Sequence, residues 1–325
     1  MPGPRSHGLP SPTVCALIVV AMVAMIAIPA AITLQTVHIP APPIPINQNS
    51  TPYGYTVSLL LFIVPDVFLL VWFLRSEELL SPRRAFWWTI AILVPLFCAL
   101  DFFFAQWFFR FPNWGATLRV HAFALGPPVP IEEYVFYLTG ALADLLLYAW
   151  LGEFWVAAYN VIDYPGEARK IRNGLRQFHL PSVIVAAVLI GAAWLYKKHF
   201  AAPADQAGFP GYFTFLVVGG LLPGLFFYPE ARRFINWRAF SLTLFFMVLV
   251  SLIWEATLGL PYSWWSFQHS HMIGLFVGAW SGLPIEEIFV WIGVTYATVI
   301  VFEVIKVVLA SERSVRDTLL GAKED

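Results

Sequence analysis

The sequence predicts an all-α integral membrane protein. About eight transmembrane helices are expected: two parallel three-helix repeats joined by a linking helix, plus an extra N-terminal helix. Three observations predict this. Hydrophobic residues make up 59% of the 325, charged residues only 12%, and mean hydropathy is +0.72; an ordinary soluble domain carries about 25% charged residues. Eight stretches approach the roughly 20 apolar residues that cross a bilayer. A shift of 154 residues superposes one half of the chain on the other.

The spans fall near 13–34, 56–74, 86–106, 131–150, 181–196, 211–228, 239–258 and 285–305, the fifth being the shortest. The first apolar run, preceded by Arg5, exceeds the 7–15 residues or so of a signal-peptide core, which favours a retained helix. Residues 1–55 then hold that helix and an uncharged Pro-rich linker. Residues 56–150 form the first repeat, 151–210 a basic loop and the linking helix, 211–309 the second repeat, and 310–325 a tail. With the N-terminus in the cytoplasm, fifteen of the nineteen Lys and Arg residues fall on that side. By the positive-inside rule this places both termini in the cytoplasm and the chain in the cell membrane. The formal net charge of −1 gives no field for nucleic acid. Cys15 and Cys98 sit in apolar runs and read as buried thiols.

The repeat is carried by residues in register. Arg84-Ala85-Phe86 falls on Arg238-Ala239-Phe240, Thr89 on Thr243, and Asp101 on Glu255. The tetrapeptide Pro130-Ile131-Glu132-Glu133 falls on Pro284-Ile285-Glu286-Glu287. Asp101 and Glu255 each lie 29 residues before the proline of their motif, and no gap is needed between 82 and 134. Three crossings alone would invert the second unit; the linking helix restores it, as in repeats related by an axis along the membrane normal. Both acidic motifs then stand at the outer membrane level.

A carboxylate inside a bilayer costs about 2.5–3.5 kcal/mol even on the gentler scale. One explanation of the motif is a capped helix start, since proline suits the first turn and acids favour a helix N-terminus. Duplication, the accompanying Asp101 or Glu255, and the lack of a nearby Lys or Arg in the second unit point further. Burial and like charge together favour the neutral form of at least one such acid, and a neutral carboxyl in an apolar site donates protons. The loops between the acids, AQWFFRFPNW and LPYSWWSFQHSHM, are crowded with aromatics. Interfacial belts collect Trp and Tyr, but aromatic faces also stabilise cations. Acid plus aromatic cage suits protonation of an unactivated alkene and handling of the carbocation.

Glu132, Glu133, Glu286 and Glu287 are therefore the acid/base candidates, with Asp101 and Glu255 as supporting acids. Helical periodicity puts Glu133, Tyr137, Gly140 and Asp144 on one stripe and Glu287, Trp291, Val294 and Thr298 on its counterpart, which suggests that the second Glu of each pair faces inward; the other stripe, through Glu132 and Phe136, is the alternative. Asp66, Trp107, Tyr137, Trp264, Trp265 and Trp291 are the substrate-binding candidates. Asp66 follows Pro65 inside a span and has Gly220 as its repeat partner, so its role is asymmetric. His269 and His271 would need further ligands, such as Glu255 or Glu286, to hold a metal. There is no phosphate-binding loop and no lysine at mid-span.

Two three-helix units, each ending in proline-any-Glu-Glu before an apolar aromatic helix, resemble the heterodimeric-type lycopene cyclases over about 56–150 and 211–309. The chain is similar to the form in which both small subunits are fused through an added transmembrane segment. Glu255 in place of a second Asp and the N-terminal helix with its linker depart from the core pattern. The resemblance implies a lycopene β-cyclase, an intramolecular lyase or isomerase of carotenoid biosynthesis. A carboxylic acid protonates the ψ-end, the next double bond attacks the tertiary cation, and a base removes a proton to leave a β-ionone ring. No electrons are transferred, so no cofactor or metal is expected. The implied partners are a membrane-dissolved lycopene-like polyene, the lipid bilayer and other enzymes of the carotenoid pathway, with no nucleic acid. A carotenoid hydratase, a cyclase of another isoprenoid, a binding protein and a proton or cation transporter with parallel repeats are the alternatives.

Overall fold

The computed structural model describes residue 13 and residues 51–77, 79–171 and 173–321. The expected first span, Cys15 and most of the Pro-rich linker lie outside the described residues.

Among the described residues, seven helices are long and apolar enough to cross a membrane: α1 (Gly54–Arg75), α2 (Arg83–Phe108), α3 (Ile131–Glu153), α5 (Leu180–His199), α6 (Gly211–Ala231), α7 (Trp237–Gly259) and α8 (Glu286–Ala310). Two short helices, α4 (Tyr164–Arg169) and α9 (Val315–Leu320), lie in the connections. The protein is an all-α membrane protein on this evidence. The outward faces agree: Leu61, Val64, Phe68 and Val71 of α1 and Ile184, Val188 and Leu195 of α5 are exposed. A soluble monomer rarely leaves so continuous an apolar surface in water.

Sequence features set the helix limits. Pro130 precedes α3 in extended backbone (φ −69°, ψ 147°), where its missing N–H costs nothing. Asn236 caps α7 by accepting from the Ala239 amide at 3.1 Å. Pro65, Pro95 and Pro223 sit inside α1, α2 and α6; packed neighbours let membrane helices tolerate them.

The two central helices are α3 and α8. Helix α3 packs on α1 and α2 and across on α7; α8 packs on α6 and α7 and across on α2. One core, at the end where α3 and α8 finish, contains Ala85, Phe86, Leu145, Ala239, Phe240 and Phe302. Its Ala-Phe pairs are those that superpose in the repeat, and Thr89 and Thr243 are fully buried beside them. A second core, at the end where α3 and α8 begin, is aromatic: Tyr55, Trp254, Trp264, Trp265 and Trp291. Helix α5 packs chiefly on α6 and is otherwise largely exposed.

Each acidic motif is held by a loop that folds back. Strand β2 (His121–Ala122) pairs antiparallel with β3 (Val129–Pro130), and β5 (Phe276–Val277) with β6 (Leu283–Pro284). The remaining pair, β1 (Phe109–Arg110) with β4 (Ser266–Phe267), ties the loop of one half to that of the other.

The halves are less alike here than ungapped superposition predicts. His121 stands nine residues before its partner Pro130, whereas Phe276 stands eight before Pro284. Helix α2 continues as α-helix to Phe108, seven residues beyond Asp101. In α7 the regular helix ends at Trp254, and Glu255–Gly259 form a π-helical turn. Such turns widen the helix and re-aim its side chains, so Asp101 and Glu255 share a register position but not a backbone environment.

Candidate functional site

The two glutamates of each motif have different surroundings. The first of each pair anchors a loop. Glu132 Oε1 accepts from the Leu118 amide at 2.7 Å and the Thr56 hydroxyl at 2.5 Å. Glu286 Oε1 accepts from the Ile273 amide at 2.5 Å. Both residues are almost completely buried. A glutamine in place of Glu132 keeps an accepting oxygen, so Glu132→Gln is expected to leave folding nearly intact. Glu132→Ala strands the buried Leu118 amide and is expected to cost about 1–3 kcal/mol. Thermal unfolding of the detergent-solubilised variants checks this contrast.

The expectation that no cation lies near the second unit's acids needs correction for Glu286. Lys197 is fully buried at the end of α5. Its Nζ donates to the carbonyls of Asp205 (2.7 Å), His269 (3.2 Å) and Met272 (2.6 Å), and it lies within electrostatic reach of Glu286. Helix α5, which carries it, lies outside both repeats, and this hid the contact.

The second glutamates converge. Glu133, Glu255 and Glu287 line one cavity of about 60 Å³ between the halves, together with Tyr137 and Tyr212. No Lys or Arg is among its lining residues. Tyr55 donates to Glu133 Oε1 at 2.5 Å, and Tyr137 donates to Asp101 Oδ1 at 3.1 Å. Glu287 lies within hydrogen-bonding reach of Tyr212 and Glu255, and Ser251 donates to Glu255 Oε1 at 3.1 Å. Asp101 Oδ2, Glu255 Oε2 and Glu287 Oε1 are buried without a fixed donor.

The walls are aromatic. Phe136 stacks on Trp254 with centroids 5.3 Å apart, Trp254 meets Trp265 at 4.8 Å, and Trp291 stands edge-on to Phe136 at 5.8 Å. Aromatic faces presented to the cavity can steady a cation there by their quadrupole.

The predicted substrate-binding residues divide between the cavity and other places. Tyr137, Trp265 and Trp291 line the cavity. Trp264 is buried behind Tyr55, stacked on it at 6.0 Å. Trp107 is half exposed and edge-on to His271 at 5.9 Å, outside the cavity. Asp66 and Asp144 are buried deeper between the helices, where Asp144 accepts from Thr295 at 2.9 Å. The imidazoles of the His-Ser-His run diverge. His269 bonds Asp205 at 2.9 Å, while burial and the Lys197 charge push the His271 imidazole down, toward its neutral form. Among the described residues no group of three or more His, Cys, Asp or Glu is arranged to hold a metal.

Sequence reasoning missed Tyr55, Tyr212 and Trp254, and placed Phe136 only on the alternative stripe, with Glu132. A signal for the tyrosines existed: each stands in the first turn of the first helix of its half. Three residues separate them from repeat register, since Tyr55 superposes on Phe209. Also missed was Glu303, buried near the other end of α8, which accepts from Tyr148 (3.0 Å), Tyr164 (2.8 Å) and Lys306 (3.0 Å). With this site described, comparison with known proteins finds no family model, curated protein or solved structure that matches the chain.

Proposed function

We propose that this protein is a membrane-bound acid catalyst that closes the ψ-ends of a lycopene-like polyene into β-ionone rings. The observation that carries the reading is the meeting of Glu133, Glu255 and Glu287, from both halves, in one aromatic-walled cavity without a cation. One carboxyl hands its proton to the terminal double bond. The next double bond attacks the tertiary cation, and a second carboxylate takes a ring proton. Reactant and product have the same composition, and the tyrosines beside each acid can return the proton within the site. The lycopene cyclase-like motifs supply the substrate class.

The layout belongs to the same proposal. Six of the helices form two parallel repeats, with α1–α3 matching α6–α8 and α5 linking them. The exchange of packing partners between α3 and α8 supports this. Both termini lie in the cytoplasm, and the acid cavity faces the outer half of the cell membrane.

Expression in a lycopene-accumulating bacterium tests the reading. Red cells are expected to turn orange, and chromatography of the extract to show β-rings. Unchanged lycopene with the protein present in the membrane overturns it; an alcohol product makes the enzyme a hydratase. A transporter is the second reading, favoured by Asp66 and Asp144, which lie within electrostatic reach of each other, each with a buried oxygen lacking a donor. Intramembrane acids of that kind commonly mark ion pathways. Proton flux through proteoliposomes that depends on both aspartates would decide for it.

A further inference from the structure

A groove lies beside the acid cavity. It runs between α2 and α6, with a volume of about 150 Å³ and almost wholly apolar walls. Helices α2 and α6 touch near the cavity, where Phe108 meets Tyr212 at 5.0 Å and Phe104 meets Phe215 at 5.2 Å. Away from that end both lean on α8 rather than packing closely on each other. Leu96, Phe104 and Leu222 line the opening and are about half exposed, so its mouth faces the lipid.

Two features point to an occupant with a long apolar chain and a reacting end. Phe109, Tyr137, Tyr212 and Val290 line both the groove and the acid cavity, which therefore adjoin each other across these four side chains. Asp101, 5% exposed, also lines the groove, and its Oδ2 has no hydrogen-bond partner. A resident acyl chain would have no use for a buried acid at its tip.

The glycines of α6 make the groove possible. A Cβ on Gly220 would lie 2.6 Å from the Gly293 Cα, so that glycine lets α6 and α8 approach. Its neighbour Gly219 is different: a Cβ there would have nothing within 4 Å, although Gly219 lines the groove. The missing side chain at 219 is space left open to the groove. The matching position on the other side of the molecule, between α1 and α7, is closed. There Trp254 Nε1 donates to Ser58 Oγ at 2.9 Å and Phe62 packs edge-on to Trp254 at 5.3 Å.

We infer that the α2–α6 groove is the lateral binding site for a linear isoprenoid chain, admitting it from the bilayer with its end toward the acid cavity, and that Gly219 sets the groove's width. This rests on the cyclase reading for the identity of the chain, but the groove can fail or stand separately. The probe is lycopene, with binding measured in nanodiscs by quenching of tryptophan fluorescence. Glu133→Gln protein is used so that turnover does not interfere. Gly219→Trp and, on the opposite wall, Leu96→Trp are each expected to lower binding at least about 10-fold and to lower conversion in the otherwise unaltered protein in step. Gly219→Ala should do neither. Full binding and conversion by both Trp variants, as monodisperse protein, overturns the groove while leaving the cyclase reading intact. Loss of binding with no conversion by the unaltered protein supports the groove and removes the cyclase. Should the Trp variants fail to fold, a photoreactive benzoylphenylalanine at Leu222 decides: a lycopene adduct is expected, and an adduct with phospholipid alone overturns the inference.

Discussion

Glu133→Gln and Glu287→Gln are each expected to leave lycopene-accumulating cells red. Glutamine has the shape of glutamate, and its oxygen can still accept from the tyrosine beside it, Tyr55 or Tyr212. What it loses is the transferable proton. General acid–base catalysis is worth about 10²–10⁴-fold, so conversion by either variant should fall at least about 100-fold, or ~2.7 kcal/mol in the barrier. Groups that act as a unit are not additive. If one carboxyl gives the proton and the other takes it, the double variant should be little worse than the slower single one. The comparison uses purified protein, saturating lycopene and quantified products, with bound lycopene measured in parallel to show that the variants still hold substrate. Full conversion by both single variants would falsify the acid role. A fall in only one assigns the indispensable role to that residue and leaves the other as a wall of the cavity.

The first and second glutamates of each motif cannot be told apart by composition, yet they have opposite surroundings. Sequence periodicity placed Glu133, with Tyr137, on the inward stripe, and the cavity contains both. It was silent on Glu132 and Glu286, because their partners are backbone amides thirteen or fourteen residues upstream in an irregular loop. The seven described spans were legible because apolar length is a one-dimensional signal. The crossing of the halves was not, since strand pair β1–β4 involves two residues on each side. The widening of the backbone at Glu255 was also hidden. A π-turn adds a residue to a helical turn without a distinctive residue type, so equal spacing of Asp101 and Glu255 from their prolines concealed a shift of local register. Tyr55 and Tyr212 escaped for the related reason that their match is one of place in the fold, three residues out of sequence register. Helix periodicity finds faces; it does not find which face another segment covers.

Lys197→Met is expected to be the most damaging change outside the cavity. The Lys197 ammonium is fully buried and gives all three of its hydrogens to main-chain carbonyls, two of them in the loop from His269 to Met272. That loop leads directly to Ile273, whose amide binds Glu286. Methionine fills nearly the same volume but donates nothing, leaving three carbonyls unsatisfied. One buried orphan costs about 1–3 kcal/mol; relief of the buried charge offsets part of the total, so about 3 kcal/mol of lost stability is expected. Lys198 provides the control. It is adjacent in sequence, only partly buried, and donates to one carbonyl, that of Gln206, at 2.9 Å; Lys198→Met should cost well under the Lys197 change, about 1 kcal/mol or less. Thermal unfolding in one detergent compares the two. If the strap serves only stability, Lys197→Met protein kept cold should convert lycopene normally. If the strap also positions α8, conversion should fall even in the folded fraction. Glu286 and Glu287 are consecutive, so a loop that lets go of the first frees the first turn that aims the second.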